Sequence, residues 1–249
     1  NLVRYRLDRL DAARALARRQ NLSGARYPWM SGGDGSEQCE SWDIGLCETH
    51  VTADVAYAAD RYREITSDGS LDGALSQMYQ ETARYWLSRF TWEPGKNQYS
   101  SFFVKGPDEY CGAAINNTFT NYQARHNVRL ALRHAALEGE ERRRFKHFEE
   151  HVALLYDPQR SLYLQDELFD RLEPLPSGHE QGEPLYRSVC FDRTQRYRAI
   201  KQAVLVQLMV LFPEDFSDGE KRAVWDRYEP LTVHDSSLSF GIHALLAFR

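Results

Sequence analysis

The sequence predicts an all-α fold on three observations. Apolar residues recur at spacings of three and four through most of the chain, Gly and Pro gather in the stretches between, and almost no segment alternates apolar with polar residues. Chemistry is then expected on the long connecting loops.

The elements follow in order. Leu2 to Arg19 places Leu2, Tyr5, Leu10, Ala13, Leu16 and Ala17 on one face of a helix that Ser23-Gly24 ends. Asn21 to Thr49 has no clear period and carries Pro28, Gly32, Gly33, Gly35 and Gly45, so it reads as a long functional loop with rings and polar groups suited to a sugar. A loop packing its own aromatics is the other reading. Val51 to Ile65 and Leu71 to Trp92 are expected as a helical hairpin turned by Ser67-Asp68-Gly69. In its second arm Leu75, Met78, Tyr79, Thr82, Tyr85, Trp86 and Phe90 form a core stripe.

Helices are expected again at Phe119 to Glu138 and Glu140 to Leu155. His147 and His151 stand four apart there, on a charged face that reads as solvated, with no third metal ligand in view. Tyr156 to Thr194 is a second long connection, with Pro158, Pro174, Pro176 and Pro184. Gln195 to Phe212 is expected as a helix with Ile200, Ala203, Val204, Leu208 and Leu211 inward. Asp218 to Tyr228 is a shorter helix capped by Ser217 or Asp218, and a last helix runs to Arg249.

Composition narrows the function classes. The chain has 249 residues, 42% hydrophobic and 27% charged, with a formal net charge of -5. That is enough for one large core or two small ones, and it gives no basic footprint for nucleic acid or anionic membrane. The best apolar run, Ala203 to Phe212, is about half a membrane span. Asp8 and Asp11 argue against a transit peptide at the Arg-rich start, and the lack of an initiator Met suggests that the chain begins mid-protein. Cys39, Cys47, Cys111 and Cys190 have no CxxC spacing and fit reduced thiols in the cytoplasm.

Chemistry is concentrated at Lys105-Gly106-Pro107-Asp108-Glu109-Tyr110-Cys111-Gly112, followed by Asn116-Asn117-Thr118-Phe119-Thr120-Asn121. A carboxylate fixed after a Gly-Pro turn beside apolar neighbours suits a general acid, although Asp and Glu after Pro are also ordinary turn residues. Lys201-Gln202-Ala203-Val204 sets a charge beside a core face, where a Lys can simply snorkel. Thr232-Val233-His234-Asp235-Ser236-Ser237-Leu238-Ser239 sets hydroxyls at a helix start, where unpaired N–H groups and the dipole favour an anion and where Ser and Asp also serve as caps.

Together these runs resemble glycoside hydrolase family 65, the maltose, trehalose, kojibiose and nigerose phosphorylases and their hydrolytic relatives. Gly-Pro-Asp-Glu-Tyr with the Asn-Asn run is similar to the family's acid loop. Gly24-Ala25-Arg26-Tyr27-Pro28-Trp29-Met30-Ser31, Gly35-Ser36-Glu37-Gln38-Cys39 and the helix opened by His50 resemble its upstream motifs, and His-x-Ser-Ser-Leu-Ser its phosphate pocket. Val204 stands where the family's Lys-Gln-Ala-Asp has Asp, and Cys111-Gly112 where maltose phosphorylases tend to have His-Glu, which points away from maltose.

The resemblance implies a partial (α/α)6 barrel over residues 1–249, a catalytic domain lacking the family's N-terminal β-sandwich, its first barrel helices and its C-terminal domain. It implies inverting phosphorolysis of an α-linked glucose disaccharide or glucoside to β-glucose 1-phosphate and a free acceptor. Glu109 is then the catalytic acid, Lys201, Gln202, Trp29 and His50 bind the sugar, and Ser236, Ser237 and His234 bind phosphate. The expected partners are the glucoside and inorganic phosphate as co-substrate, with no metal, no other cofactor, no nucleic acid and no membrane; family members are often homodimers, while the sequence itself leaves the oligomeric state open. Two alternatives remain open: an inverting hydrolase using Asp235 or Glu229 as base, and a non-catalytic sugar-binding fragment.

Overall fold

Helix formers separated by Gly- and Pro-marked breaks give a mostly helical protein, with only short strand pairs, in the computed structural model, which describes residues 2–176 and 184–248. The middle of the expected 156–194 connection and the terminal Arg249 lie outside the described residues. The chain divides into two compact units, one of residues 1–102 and 120–153, the other of residues 103–119 and 154–249.

The first unit opens with α1 (Leu2–Leu7) and α2 (Leu10–Arg19) in place of one expected helix. The break falls at Arg9, whose backbone leaves helical geometry and whose guanidinium donates to Gly33 O at 3.0 and 2.8 Å. The long loop that follows contains α3 (Trp42–Cys47). The helices α4 (Val51–Thr66) and α5 (Asp72–Arg89) are joined through Ser67, which sits in the left-handed region at φ 53°. The Asp68 carboxylate caps the next turn by accepting from Ser70 N at 2.9 Å.

The expected stripe of α5 is buried throughout, with Trp86 fully enclosed. Trp86 Nε1 donates to Asn127 Oδ1 at 2.9 Å, and Asn127 Nδ2 donates to Thr82 Oγ1 at 2.9 Å, so these polar atoms inside the core are paired. Trp92 departs from the expectation. Pro94 and Gly95 turn the chain, and β1 (Thr91–Glu93) pairs antiparallel with β2 (Gln98–Ser100), Trp92 opposite Tyr99.

The helix α6 (Thr118–His134) contributes its residues from Thr120 onward to this unit, and α7 (Gly139–His151) closes it. α7 stops short of the expected Leu155 because Val152 turns extended and Ala153 N donates to Tyr99 O at 2.9 Å. The His147 and His151 rings stack at 4.3 Å, and the Trp92 ring lies 4.8 Å from His147, so this pair packs on aromatics.

One glycine fixes how the first loop meets α5. Gly24 has φ +76°, and a Cβ there would fall 2.2 Å from Glu81 O and 2.4 Å from Tyr85 N. The close approach lets Ala25 N donate to Glu81 O at 2.9 Å.

In the second unit β3 (Phe102–Val104) pairs with β4 (Ala114–Ile115), and the segment between them is the Gly-Pro-Asp-Glu-Tyr loop. The strands β5 (Tyr156–Asp157) and β6 (Leu162–Tyr163) form an antiparallel hairpin. The helices α8 (Leu185–Ser188), α9 (Phe191–Thr194), α10 (Leu205–Leu211), α11 (Asp218–Tyr228) and α12 (Ser237–Phe248) follow.

The expected helix over Gln195–Phe212 is reduced to α10. Ile200 N donates to Leu231 O at 2.9 Å and Val233 N to Ile200 O at 2.8 Å, a strand-like pairing that holds residues 200–204 out of the helix. Ile200, Ala203 and Val204 are buried there all the same. At α11, Ser217 and Glu220 form a reciprocal capping box, which settles the cap on Ser217. Among the described residues no helix is long and apolar enough to cross a membrane.

Candidate active site

The acid loop is built by backbone constraints before any charge acts. At Gly106 a Cβ would stand 2.8 Å from Asn117 Oδ1, so a side chain there would have to push the buried Asn117 amide aside. Asn116 itself is left-handed at φ 54°, and its Nδ2 donates to Glu167 Oε1 at 2.7 Å. Thr118 N donates to Gln165 O at 2.9 Å, which anchors the far end.

Asp108 then sets the tip. Its buried carboxylate accepts from Tyr110 N at 3.1 Å and from Lys201 N at 2.8 Å through the same oxygen, Oδ1. The second of these bonds spans 93 positions and draws the Lys201 backbone onto the loop. Lys201 Nζ in turn donates to Oε2 of half-buried Glu109 and lies 5.9 Å from the Tyr110 ring centroid. Gln202, next in the chain, keeps Oε1 buried with no hydrogen-bond partner.

Tyr110 carries the arrangement further. Its ring packs with Leu185, Tyr197 and Ala199, and its hydroxyl donates to Asp235 Oδ2 at 2.6 Å. Burial, then the bond to Asp235, pushes the phenol up, so it stays a donor at every working pH. Leu185 N donates to the same Asp235 oxygen at 2.7 Å. Burial, then the Asp166 carboxylate, pushes the Cys111 thiol well up, which disfavours its thiolate.

The run after α11 carries the other residues singled out in the sequence, His234, Ser236 and Ser237. His234 sits in the left-handed region at φ 55°, and its Nδ1 pairs with buried Ser239 Oγ at 2.8 Å. Its Nε2 lies 3.5 Å from Glu229 Oε1. Ser236 Oγ accepts from Leu238 N at 3.3 Å, and exposed Ser237 is the first residue of α12. His243, further along α12, is buried and meets the His234 ring edge-on at 4.7 Å. Burial, then the nearby His234, lowers its pKa to about 4 despite Glu229, so it is neutral at ordinary pH.

Trp29 and His50 belong to the first unit. Glu37 fixes the loop by accepting from Trp29 N at 2.7 Å and Met30 N at 2.9 Å, and Trp29 Nε1 donates to Glu48 Oε2 at 2.6 Å. His50 precedes α4, and its Nδ1 donates to Asp54 Oδ2 at 2.6 Å. Burial alone would lower the His50 pKa, but Asp54 and then Glu48 outweigh it and raise the value to about 9. The folded value lies above the unfolded 6.5, so this contribution is full below pH 6.5 and is lost as pH rises through about 9. The Tm should therefore fall between pH 6.5 and 9, and His50→Gln should flatten that fall in a calorimetric series.

Of the residues singled out in the sequence, the structure joins Glu109 to Lys201 directly and ties the acid loop to the His234–Ser237 run through Tyr110 and Asp235. Asp108 and Tyr110 are the residues that sequence reasoning passed over. Both stand inside the quoted motif, but the partners that give them a role lie about a hundred positions away.

A mostly helical chain whose loops bring a carboxylate, an ammonium and a hydroxyl-lined helix start into one unit has the layout of a helical catalytic domain. The model of the Glycosyl hydrolase family 65 central catalytic domain matches residues 1–249, and the chain belongs to that family. It is 31% identical to a kojibiose phosphorylase of Halothermothrix orenii over 98% of this chain and 36% of that protein. It is 34% identical to an alpha,alpha-trehalose phosphorylase of Thermoanaerobacter brockii, over 99% of this chain and 34% of the relative. A solved structure provisionally named as a kojibiose phosphorylase from the human microbiome superposes with a TM-score of 0.90 at 27% identity, over 99% of this chain and 39% of that one. The chain thus spans little more than a third of the relatives it matches.

Proposed function

We propose that the protein carries out inverting phosphorolysis of an α-linked glucose disaccharide or glucoside, releasing β-glucose 1-phosphate and a free acceptor sugar. The observation that carries this reading is the Asp108 clamp, which seats the Lys201 ammonium on the Glu109 carboxylate. The phosphorylase names of the relatives support it. In this reading residues 1–249 form part of an (α/α)6 barrel catalytic domain, working in the cytoplasm as a homodimer. Cysteines that form no disulfide among the described residues fit that compartment.

Glu109 accepts from Lys201. Sugar hydroxyls draw the ammonium of Lys201 and the unpartnered Oε1 of Gln202 to themselves, and Glu109 is then free to carry a proton to the glycosidic oxygen. Trp29 and His50 are assigned to the sugar by family likeness. Phosphate, held by Ser236, Ser237, His234 and the first N–H groups of α12, attacks the opposite face of the anomeric carbon. Being an anion already, it needs no general base, no metal and no organic cofactor.

Hydrolysis would need a second carboxylate free to activate water, roughly 6.5 to 9.5 Å from the acid. Of the two candidates, Asp235 gives Oδ2 to Tyr110 and Leu185 N, and Glu229 Oε1 faces His234 Nε2 at 3.5 Å. Kojibiose, nigerose, trehalose and glucosyl-polyols fit the reading, and Cys111-Gly112 in the acid loop weighs against maltose.

Replacing Ser236 and Ser237 together by Ala should raise the KM for phosphate at least about tenfold while the KM for the sugar moves less than about twofold. Equal changes in both, or none in the phosphate KM, would contradict the assignment of that run to phosphate.

A further inference from the structure

Three side chains brought together by the end of α11, the following loop and α12 have an unassigned use. Glu229, His234 and His243 each place one ligand atom so that all three lie within 4.8 Å of one another. We propose that this cluster is a binding site for a divalent transition cation of the Zn2+ class.

Donor chemistry selects the cation. Two imidazoles and one carboxylate suit a borderline ion such as Zn2+, whereas Mg2+ and Ca2+ require oxygen ligands. Spacing agrees at the Glu229–His234 edge, and His243, within 4.8 Å of both, has to close in on the ion. Two ligands about 2.0–2.1 Å from a tetrahedral ion stand about 3.4 Å apart. His234 Nε2 and Glu229 Oε1 are 3.5 Å apart.

The second imidazole supplies an independent reason. His243 is 4% exposed, and neither of its ring nitrogens has a hydrogen-bond partner. An uncompensated polar side chain at that depth is costly, and a metal bond to one nitrogen would repair it. His234 is already oriented as a ligand. Ser239 Oγ, fully buried, pairs with Nδ1 and leaves Nε2 facing Glu229, the outer-shell support that metal-binding histidines receive. Trp225 packs 5.6 Å from the His243 ring and Phe240 stacks on His234 at 5.0 Å, so the cluster has an apolar wall.

Sequence spacing hid this site, since the three stand five and nine positions apart and match no short metal motif. Three protein ligands leave a fourth position open. With Nδ1 paired to Ser239, the cation and the phosphate of the proposed reaction both call on His234 Nε2, so the site competes with the use of that imidazole for phosphate, while phosphorolysis itself needs no metal.

Isothermal titration of the metal-free protein with ZnCl2 and separately with MgCl2, in a buffer that does not chelate, tests the proposal. One Zn2+ per chain and no Mg2+ is expected, with affinity falling at least tenfold in His243→Ala and in Glu229→Gln. Co2+ loaded in place of Zn2+ should show visible d–d bands without the near-ultraviolet band of a thiolate ligand, which separates this cluster from the cysteines. Circular dichroism establishes that each variant is folded, and Glu229→Gln, at a half-exposed position, serves if His243→Ala unfolds. No stoichiometric Zn2+ binding, affinity unchanged in the folded variants, or a thiolate band would overturn the site.

Discussion

Glu109→Gln should reduce kcat for phosphorolysis by about 10²- to 10⁴-fold, the range that a positioned general acid supplies. The KM for the sugar should change little, because Gln keeps the size and the acceptor oxygen that Lys201 Nζ contacts. Folding should be intact, since Glu109 is half-buried at a loop tip and the bonds that shape the tip come from Asp108. Asp108→Asn makes a useful companion. It leaves Glu109 in place but weakens the acceptor that holds both Tyr110 N and Lys201 N, so its loss of kcat should be smaller and joined by a lower Tm. Turnover unchanged in Glu109→Gln would remove Glu109 from the chemistry.

Gly24→Ala should be the most destabilising single methyl that can be added to the first unit. The left-handed φ of +76° already disfavours a side chain, and the new Cβ would meet Glu81 O at 2.2 Å and Tyr85 N at 2.4 Å. Both are backbone atoms of α5 and cannot swing aside. Backbone strain of about 1–3 kcal/mol and a similar overpacking cost give about 2–6 kcal/mol. For a protein of this size that lowers Tm by roughly 10 °C. Gly73→Ala is the control: it lies in α5 with nothing within 4 Å of the added carbon, so it should leave Tm unchanged or raise it slightly. Equal Tm values for the two variants would mean that the Gly24 approach to α5 is not tight.

Legibility of the fold in the sequence depends on how local each determinant is. The span of α11 is readable from its local signals, while the choice of cap between Ser217 and Asp218 is decided by the Ser217–Glu220 capping box. The core stripe of α5 is readable for the same reason. Residues 195–204 mislead because an apolar run buried by strand-like pairing looks like a helix face, and the pairing partner, residues 231–233, is distant. Trp92 reads as the last residue of the second helix, although Pro94-Gly95 stands two residues on as a turn signal. At the site, spacing alone does not separate Glu109 from an ordinary turn carboxylate. Family likeness raises it. Neither route shows that Asp108 binds the Lys201 backbone or that Tyr110 reaches Asp235, because those links span 93 and 125 positions.

The most direct measurement is a ¹H and ³¹P NMR time course of the protein with kojibiose, nigerose, trehalose, maltose and glucosylglycerol, each with and without inorganic phosphate. β-Glucose 1-phosphate should accumulate from at least one sugar, only when phosphate is present, and with no α-anomer formed first. Free glucose released at the same rate without phosphate, or α-glucose 1-phosphate as the first product, would contradict inverting phosphorolysis.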